Sequence, residues 1–257
     1  MGNNRIPWRK IWPPAAVLAA LLAAWQIAVS AFGTAEYILP SPLSIAEEGI
    51  NVGPRLLEHT LATVGLMLPG FAGGAAAGFL LAALIHFIPG ARSGLYPLLV
   101  LSQNVPVIAL GPLLTLWLGY GVLPKLILIW LVCFFPVSVA LLSGLNDTDP
   151  KLRNYMEMIG TSRWTMFWRL ELPHAIAHLF SGLKIAASYS VLTAVVAEWI
   201  GSEKGLGHFM MLSSSGFQTA RVFAAVFLIV ILSLAMFGLV VLAERICVRW
   251  KPDRKGE

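Results

Sequence analysis

The segment EMIGTSRWTMFWRLELP, residues 157–173, is a charged and aromatic stretch in a strongly apolar chain. It lies between two long apolar runs, Val122–Gly144 and Ile176–Ile200. About 20 mostly apolar residues are enough to cross a bilayer as one helix, so the segment is predicted to connect two membrane spans. The composition agrees, because 58% of the 257 residues are hydrophobic and only 12% are charged, against about a quarter in soluble domains. The chain is therefore predicted to be an all-α membrane protein.

Applied along the whole chain, the same rule predicts six transmembrane helices in a single membrane domain, residues 1–257. The third and fourth are separated only by Tyr120 and Gly121, so they should form a tight hairpin. The third contains several prolines and is expected to be kinked. The six predicted spans are Pro13–Phe32, Leu61–Ile88, Leu95–Gly119, Val122–Gly144, Ile176–Ile200 and Val222–Ala243.

Basic residues predict the orientation of these spans. Thirteen of the 18 lysines and arginines fall on the side that holds both termini, four fall on the opposite side, and Lys184 lies within the fifth span. Loops rich in basic residues stay in the cytoplasm, so both termini are predicted to be cytoplasmic. The cytoplasmic segments are then residues 1–12, the 145–175 loop and a basic tail over residues 245–257. The net charge of +5 is thus explained by topology, and nucleic acid is not an expected partner.

The 145–175 loop is predicted to fold as a helix, a turn and a second helix. Asp149 followed by Pro150 is typical of an N-cap and a first helical residue. Gly160 can end that helix in the left-handed conformation. A hydroxyl residue can then cap a second helix, which Pro173 is predicted to end, and the two candidate caps are Thr161 and Ser162.

Three aromatic residues, Trp164, Phe167 and Trp168, are spaced to share one face of that second helix. Arg163 and Arg169 lie beside them. One interpretation is an interfacial helix whose aromatic rings rest in the lipid headgroups. The other is a docking surface for a protein, because aromatic residues and arginine anchor many interfaces.

The spacing from Gly160 to Pro173 resembles the cytoplasmic signature of ABC importer permeases. That signature runs Glu-Ala-Ala, three residues, Gly, nine residues, Ile, any residue, Leu-Pro, and Leu170 stands in the isoleucine place. The resemblance implies a type I importer transmembrane domain, in which this loop is a coupling helix that docks in a groove of the ATP-hydrolysing subunit. The docking residues that it implies are Asn154, Tyr155, Met156, Gly160, Arg163, Trp164, Phe167, Leu170 and Pro173.

Other segments resemble the subgroup of these permeases that imports nitrate, taurine, alkanesulfonates and thiamine precursors. They are ILPSPLS (residues 38–44), SQNVPVIALGPLLTLWLGYG (102–121) and AEWIGSEKGLG (197–207). Within that subgroup, NYMEMIG (154–160) and KGLGHFMMLSSSGFQTARVFAA (204–225) are similar to permeases for aminopyrimidine precursors of thiamine.

The resemblance also implies partners and a location. It implies a homodimer in the lipid of a bacterial cell membrane, two ATPase subunits and an extracytoplasmic solute-binding protein. No G-x-x-x-x-G-K-[ST] motif occurs in the chain, so ATP and Mg are expected to be bound by the ATPase partner and no cofactor by this chain.

Polar residues within the spans are open to two interpretations, as hydrogen-bonding contacts between helices or as the lining of a translocation path. Lys184 could extend to the cytoplasmic surface or line the path. Glu198 and Trp199 could form part of an outer gate or contact the delivering protein, although Trp199 alone is typical of an interfacial belt. The candidate path residues are Ser102, Gln103, Asn104, Lys184, Ser188, Tyr189 and Glu198.

Two other classes of protein remain open. A secondary transporter driven by an ion gradient needs ionisable groups near the midplane, and Lys184 is the one candidate, with no acidic partner expected. An enzyme needs a catalytic cluster, and no serine, cysteine or aspartate lies in a recognisable pattern with a base. His174 and His178 are one helical turn apart, but without a carboxylate or cysteine they do not predict a metal site. Neither catalytic nor metal-binding residues are therefore predicted.

Overall fold

The structure is a computed structural model that describes residues 8–88 and 90–248. In these two ranges the regular secondary structure is helical throughout, with one π-helical turn at Phe167–Glu171. The α-helices are α1 (Trp8–Phe32), α2 (Pro42–Asn51), α3 (Gly53–Phe87), α4 (Ala91–Ser102), α5 (Val107–Leu118), α6 (Val122–Asn146), α7 (Pro150–Met158), α8 (Arg163–Met166), α9 (Leu172–Glu198), α10 (Leu206–Ser215) and α11 (Thr219–Cys247).

Within the described residues, five helical stretches are long and apolar enough to cross a membrane. They correspond to the predicted first, second, fourth, fifth and sixth spans, and they confirm an all-α fold built from long apolar helices. The tight hairpin is also confirmed, since α5 ends at Leu118 and α6 begins at Val122. The five stretches are Trp12–Phe32, Gly53–Phe87, Val122–Asn146, Arg163–Glu198 and Thr219–Cys247.

The third predicted span, Leu95–Gly119, is wrong as one continuous helix. It is divided into α4 and α5 by a break over residues 103–106. Pro106 has no N–H to donate and disfavours a helical conformation in the residue before it, so the helix cannot run through Val105. The Asn104 side chain instead donates to the carbonyls of Val100 and Leu101, each at 3.3 Å, and so satisfies the exposed end of α4.

The described helices contribute to two compact units. One comprises Met1–Glu58 and Phe209–Leu228. It contains α2, which the sequence did not predict: the Ser41 hydroxyl caps it by accepting from the Ser44 amide at 3.1 Å. Glu48 of α2 pairs with Arg221 at 2.5 Å, and this hydrogen bond holds the pKa of the Glu48 carboxyl below its ordinary value.

The other compact unit comprises His59–His208 and Ile229–Glu257. Its centre is the packing of α6 against α9, where Gly182 lies so close to α6 that an added Cβ would be 2.5 Å from the Pro136 carbonyl oxygen. Small residues therefore let the two backbones approach, as is common between membrane helices. The fully or almost fully buried core residues here include Ile129, Cys133, Val137, Ala186, Ala187, Val191 and Ala194.

Helix α3 approaches α6 in the same way, through Gly74 and Gly78. A Cβ on Gly74 would lie 2.8 Å from the Trp130 carbonyl oxygen and 2.7 Å from the Cys133 Cβ. The Ser138 hydroxyl donates to the Gly78 carbonyl at 3.0 Å and joins the same two helices. The contact therefore depends on the absence of side chains at these positions of α3.

Gly74→Ala is expected to lower the free energy of unfolding by about 1–3 kcal/mol, because the added methyl group forces α3 away from α6. Gly65→Ala is the matched control, since it lies on the same helix and nothing is within 4 Å of its added Cβ. The thermal unfolding midpoint of the purified protein in detergent measures both variants. Equal midpoints for the two variants would contradict the close approach of these helices.

Candidate functional site

The 145–175 loop begins with a well-capped helix, α7. The Asp149 carboxylate accepts from the Lys151 amide at 2.8 Å, and Pro150 occupies the first turn. Both features confirm the predicted start of this helix. A cap of this kind satisfies an amide that has no partner within the helix and fixes where the helix begins.

Gly160 ends α7 in the left-handed conformation, with φ of 75°. The Gly160 amide donates to the Glu157 carbonyl and the Thr161 amide to the Met156 carbonyl, each at 3.0 Å. This pair of bonds is a Schellman motif, which closes the end of a helix and reverses the chain. The predicted turn is confirmed, and Gly160 is the residue that it requires.

The second helix of the loop is capped by Ser162, whose hydroxyl accepts from the Thr165 amide at 3.2 Å. The prediction that this helix ends at Pro173 is wrong, because the chain stays helical from Arg163 to Glu198. The π-helical turn at Phe167–Glu171 precedes the proline. A π turn shifts the carbonyls away from their α-helical positions, so the proline ring and its missing N–H are tolerated.

The three aromatic residues of this helix do not form one exposed face. Phe167 is 1% exposed and packs on Phe87 of α3, with ring centroids 5.0 Å apart. Trp164 is 62% exposed, although one side of it stacks on Phe87 at 5.7 Å. Trp168 is half-exposed. Phe167 therefore anchors the loop to α3, while the two tryptophans remain accessible.

A buried carboxylate, Glu171, joins three helical elements at this point. It is 2% exposed. The ring nitrogen Nε2 of His86, in the last turn of α3, lies 2.6 Å from its Oε2. The Arg153 guanidinium of α7 donates to its Oε1 through Nε at 3.0 Å and also through Nη2. One side chain at the start of the long Arg163–Glu198 helix thus holds both α3 and α7.

Sequence reasoning missed this junction. Glu171 and His86 are 85 residues apart in the chain, and no local spacing relates them. The one available signal was that an acidic residue stands at the edge of a predicted span, where an unpaired charge is costly and a partner is expected.

The surface of α7 that faces away from this junction is apolar and exposed. Tyr155, Met158 and Ile159 are 57%, 80% and 59% exposed. A cavity of about 560 Å³ lies instead at the junction itself, and the three residues of the junction are part of its lining. A contiguous exposed apolar surface on a rigidly held helix is typical of a binding site for another protein.

The structure separates the predicted docking residues by exposure. Phe167 is buried, and three others are partly buried: Met156, Leu170 and Pro173. The exposed group is Asn154, Tyr155, Gly160, Arg163 and Trp164.

The predicted path residues lie at the end of α4, in the break that follows it and along α9. Gln103 and Asn104 are exposed in the break between α4 and α5, and the Ser102 side chain lies outside the described part of the chain. Ser188 is partly buried, Tyr189 is half-exposed, and Glu198 is 2% exposed.

The expectation that Lys184 has no acidic partner is wrong. Its Nζ lies 2.5 Å from Oε2 of Glu244 on α11. The pairing reduces the cost of placing a lysine within an apolar helix, because each charge is neutralised by the other. The predicted sixth span ends at Ala243, one residue before Glu244. Hydropathy alone therefore could not predict the contact.

Within the described residues, five helices that are long and apolar enough to cross a membrane are typical of a multi-pass membrane protein, and the comparison with known families identifies its class. The family model described as "binding-protein-dependent transport system inner membrane component" matches residues 74–246. The chain therefore belongs to that family, the non-catalytic permease components of ABC transporters. Membership confirms the predicted family and implies two kinds of partner, an ATPase that binds ATP and a binding protein.

Curated relatives align over almost the whole chain. The formylaminopyrimidine transport permease protein ThiX of Halalkalibacterium halodurans is 32% identical and is covered over 93% of this chain and 95% of its own length. The riboflavin transport system permease protein RibX of Chloroflexus aurantiacus is 30% identical, over 96% and 93%. The taurine transport system permease protein TauC of Escherichia coli is 27% identical, over 95% and 94%.

A solved structure, described as an amino acid ABC transporter with histidines, has the same fold. The TM-score is 0.61 at 13% sequence identity, over 77% of this chain and 96% of that chain. At this identity the likeness supports the fold alone.

Proposed function

We propose that the chain is the membrane-spanning subunit of an ATP-driven importer for a small polar solute, which an extracytoplasmic binding protein delivers. The observation that carries this proposal is the 145–175 loop, in which α7 has an exposed apolar face and is joined to α3 and to the Arg163–Glu198 helix through Glu171. Such a helix can receive force from a partner and pass it to the membrane helices. The loop and both termini then face the cytoplasm of a bacterial cell.

The break between α4 and α5 supports a second copy of the chain as a partner. Residues 103–106 are exposed in the single chain, and the break leaves backbone groups without helical partners. At membrane depth, such backbone is tolerated only against protein or a water-filled cavity. We infer that α4 and α5 together make the sixth membrane crossing, and that Gln103 and Asn104 face a translocation path in a homodimer.

The proposed mechanism is alternating access. When two ATPase subunits close on ATP, they move α7, and the Arg153–Glu171–His86 contacts carry that movement into α3 and the Arg163–Glu198 helix. The path between the two copies then opens outward to accept the solute, and it opens inward after hydrolysis. The remaining candidate path residues, Lys184, Ser188, Tyr189 and Glu198, lie on the Arg163–Glu198 helix.

For the solute we propose an aminopyrimidine precursor of thiamine. This rests on the similarity to the formylaminopyrimidine permease and on the NYMEMIG and KGLG segments. The relatives named for taurine and aliphatic sulfonates are 27% and 28% identical, so sulfonates, taurine or nitrate are the alternative solutes.

The experiment that tests the function is co-purification of the tagged chain from its native membrane. The expected result is a co-eluting ATPase whose activity rises when formylaminopyrimidine and its binding protein are added. Stimulation by a sulfonate, taurine or nitrate instead would replace the proposed solute. Elution without an ATPase would contradict the importer and favour a gradient-driven transporter.

Tyr155→Asp is expected to reduce the amount of co-purified ATPase by about tenfold or more. A charge placed in the apolar centre of an interface removes a contact and must be desolvated, which costs more than 1.4 kcal/mol. Tyr155→Phe is the matched control and should retain the partner. Immunoblots of the eluted ATPase measure both variants, and equal recovery would exclude Tyr155 from the docking surface.

A further inference from the structure

At the opposite end of α9 from the 145–175 loop, three consecutive backbone amides are each bonded to a side chain. The Gly205 amide donates to Nδ1 of His59 at 3.1 Å, and the Leu206 amide donates to the Thr63 hydroxyl at 2.9 Å. The Gly207 amide donates to the Glu198 carboxylate at 2.8 Å. His59 and Thr63 belong to α3 and Glu198 ends α9, so this short segment is bonded to two membrane helices.

Most of the bonded groups are shielded from water, and His59 is partly buried. Thr63 and Leu206 are 0% exposed and Glu198 is 2% exposed. Gly205 and Gly207 are also buried. Buried amides that lose their acceptors are costly, because no water replaces the lost bond. The three acceptors therefore hold the segment far more tightly than exposed hydrogen bonds would.

The two glycines are required by the close contact. A Cβ on Gly205 would lie 2.1 Å from the carboxyl carbon of Glu198, and its φ is 114°. A Cβ on Gly207 would lie 2.1 Å from the Val195 carbonyl oxygen. The segment GLG in AEWIGSEKGLG is thus explained by packing against the end of α9.

Two residues near the start of the loop after α9, Gly201 and Ser202, are bonded to a third helix. Lys125, near the start of α6, donates to the Gly201 carbonyl at 3.4 Å and to the Ser202 hydroxyl. The loop between α9 and α10 is therefore bonded to α3, α6 and α9 within one compact unit.

We propose that His59, Thr63, Lys125 and Glu198 make the 201–207 segment and the adjoining ends of α3, α6 and α9 into one extracytoplasmic block, which moves as a single body during transport. The proposal rests on the proposed function, since it concerns the movement that opens the outer side. Glu198 is then a positioning residue of the outer gate, with no direct contact to the solute. The outward opening takes place at the edges of the block.

Hydrogen–deuterium exchange of the peptide that covers residues 199–208, in the purified resting protein, tests whether Glu198 holds the 201–207 segment in place. In the wild type, the amides of residues 205–207 are expected to exchange slowly. Glu198→Ala should speed their exchange by about tenfold or more, the equivalent of one lost bond of about 1.4 kcal/mol. Glu198→Gln keeps an acceptor for the Gly207 amide and should restore slow exchange. Unchanged exchange in Glu198→Ala would overturn the proposal.

A second exchange measurement tests whether the block moves as one body. It uses the complex with its ATPase and compares the resting state with the state trapped with ATP and vanadate. The expected result is equal protection of residues 205–207 in both states, while peptides of the 145–175 loop change. Loss of protection in the trapped state would overturn the proposal. The comparison of the Glu198 variants needs no ATPase. Its result therefore tests this inference even if the chain is not part of an ATP-driven importer.

Discussion

Glu171→Ala is expected to lower transport by at least about tenfold while the protein still inserts into the membrane. The substitution removes the acceptor of both Arg153 bonds and the partner of His86. Removing one member of a buried charged contact costs about 3–5 kcal/mol, and the cost here should fall near 2–3 kcal/mol because the Arg153 side chain is 37% exposed. The movement of α7 is then no longer passed to α3. Transport into proteoliposomes and the thermal unfolding midpoint measure the two effects.

Two controls separate this role of Glu171 from a general effect of losing a negative charge. Glu157→Ala removes an exposed acid from the same loop and should leave transport near the wild-type level. Glu171→Gln keeps the shape and one acceptor oxygen, so transport should lie between the wild type and the alanine variant. If Glu171→Ala and Glu157→Ala transport equally well, the buried junction has no part in coupling.

Gly160→Pro is expected to abolish the coupling of ATP hydrolysis to transport. Proline fixes φ near −65°, whereas Gly160 has a φ of 75°. Proline also removes the amide that donates to the Glu157 carbonyl. The Schellman turn cannot form, so α7 and the helix that begins at Arg163 lose their relative placement. The apolar helices are unaffected, and insertion should persist.

The measurement is ATPase activity of the reconstituted complex together with transport in the same proteoliposomes. Gly160→Asn is the matched control, because asparagine enters the left-handed region more readily than other non-glycine residues, and it should retain most of the transport. Wild-type transport by Gly160→Pro would show that this turn is not needed for coupling.

The features that the sequence predicted well depend on neighbours along the chain. The long apolar runs predict membrane helices because each backbone amide in lipid must bond within its own helix. Asp149, Pro150 and Gly160 predict the ends of α7 because caps are local bonds made over a few residues. The spacing from Gly160 to Pro173 carried the family resemblance, which the family match over residues 74–246 confirms.

Two errors within the predicted helices arose where local rules compete. Pro173 was predicted to end a helix, and a π turn accommodates it instead. The prolines of the third span were predicted to kink it, and the span is interrupted at residues 103–106 instead. A proline excludes certain backbone bonds, but the surrounding packing determines whether the helix bends, widens or stops.

By itself the sequence determined that this is an all-α membrane protein, where its long helices lie and how the 145–175 loop begins and turns, since hydropathy and capping act over a few residues. Only the tertiary structure decided which distant polar groups meet. Glu171 with Arg153 and His86, Lys184 with Glu244, and Glu198 with the Gly207 amide are all contacts that side chains make once the helices have packed. A charge in an apolar setting indicates that a partner is needed, but the packing of the helices selects which residue it is.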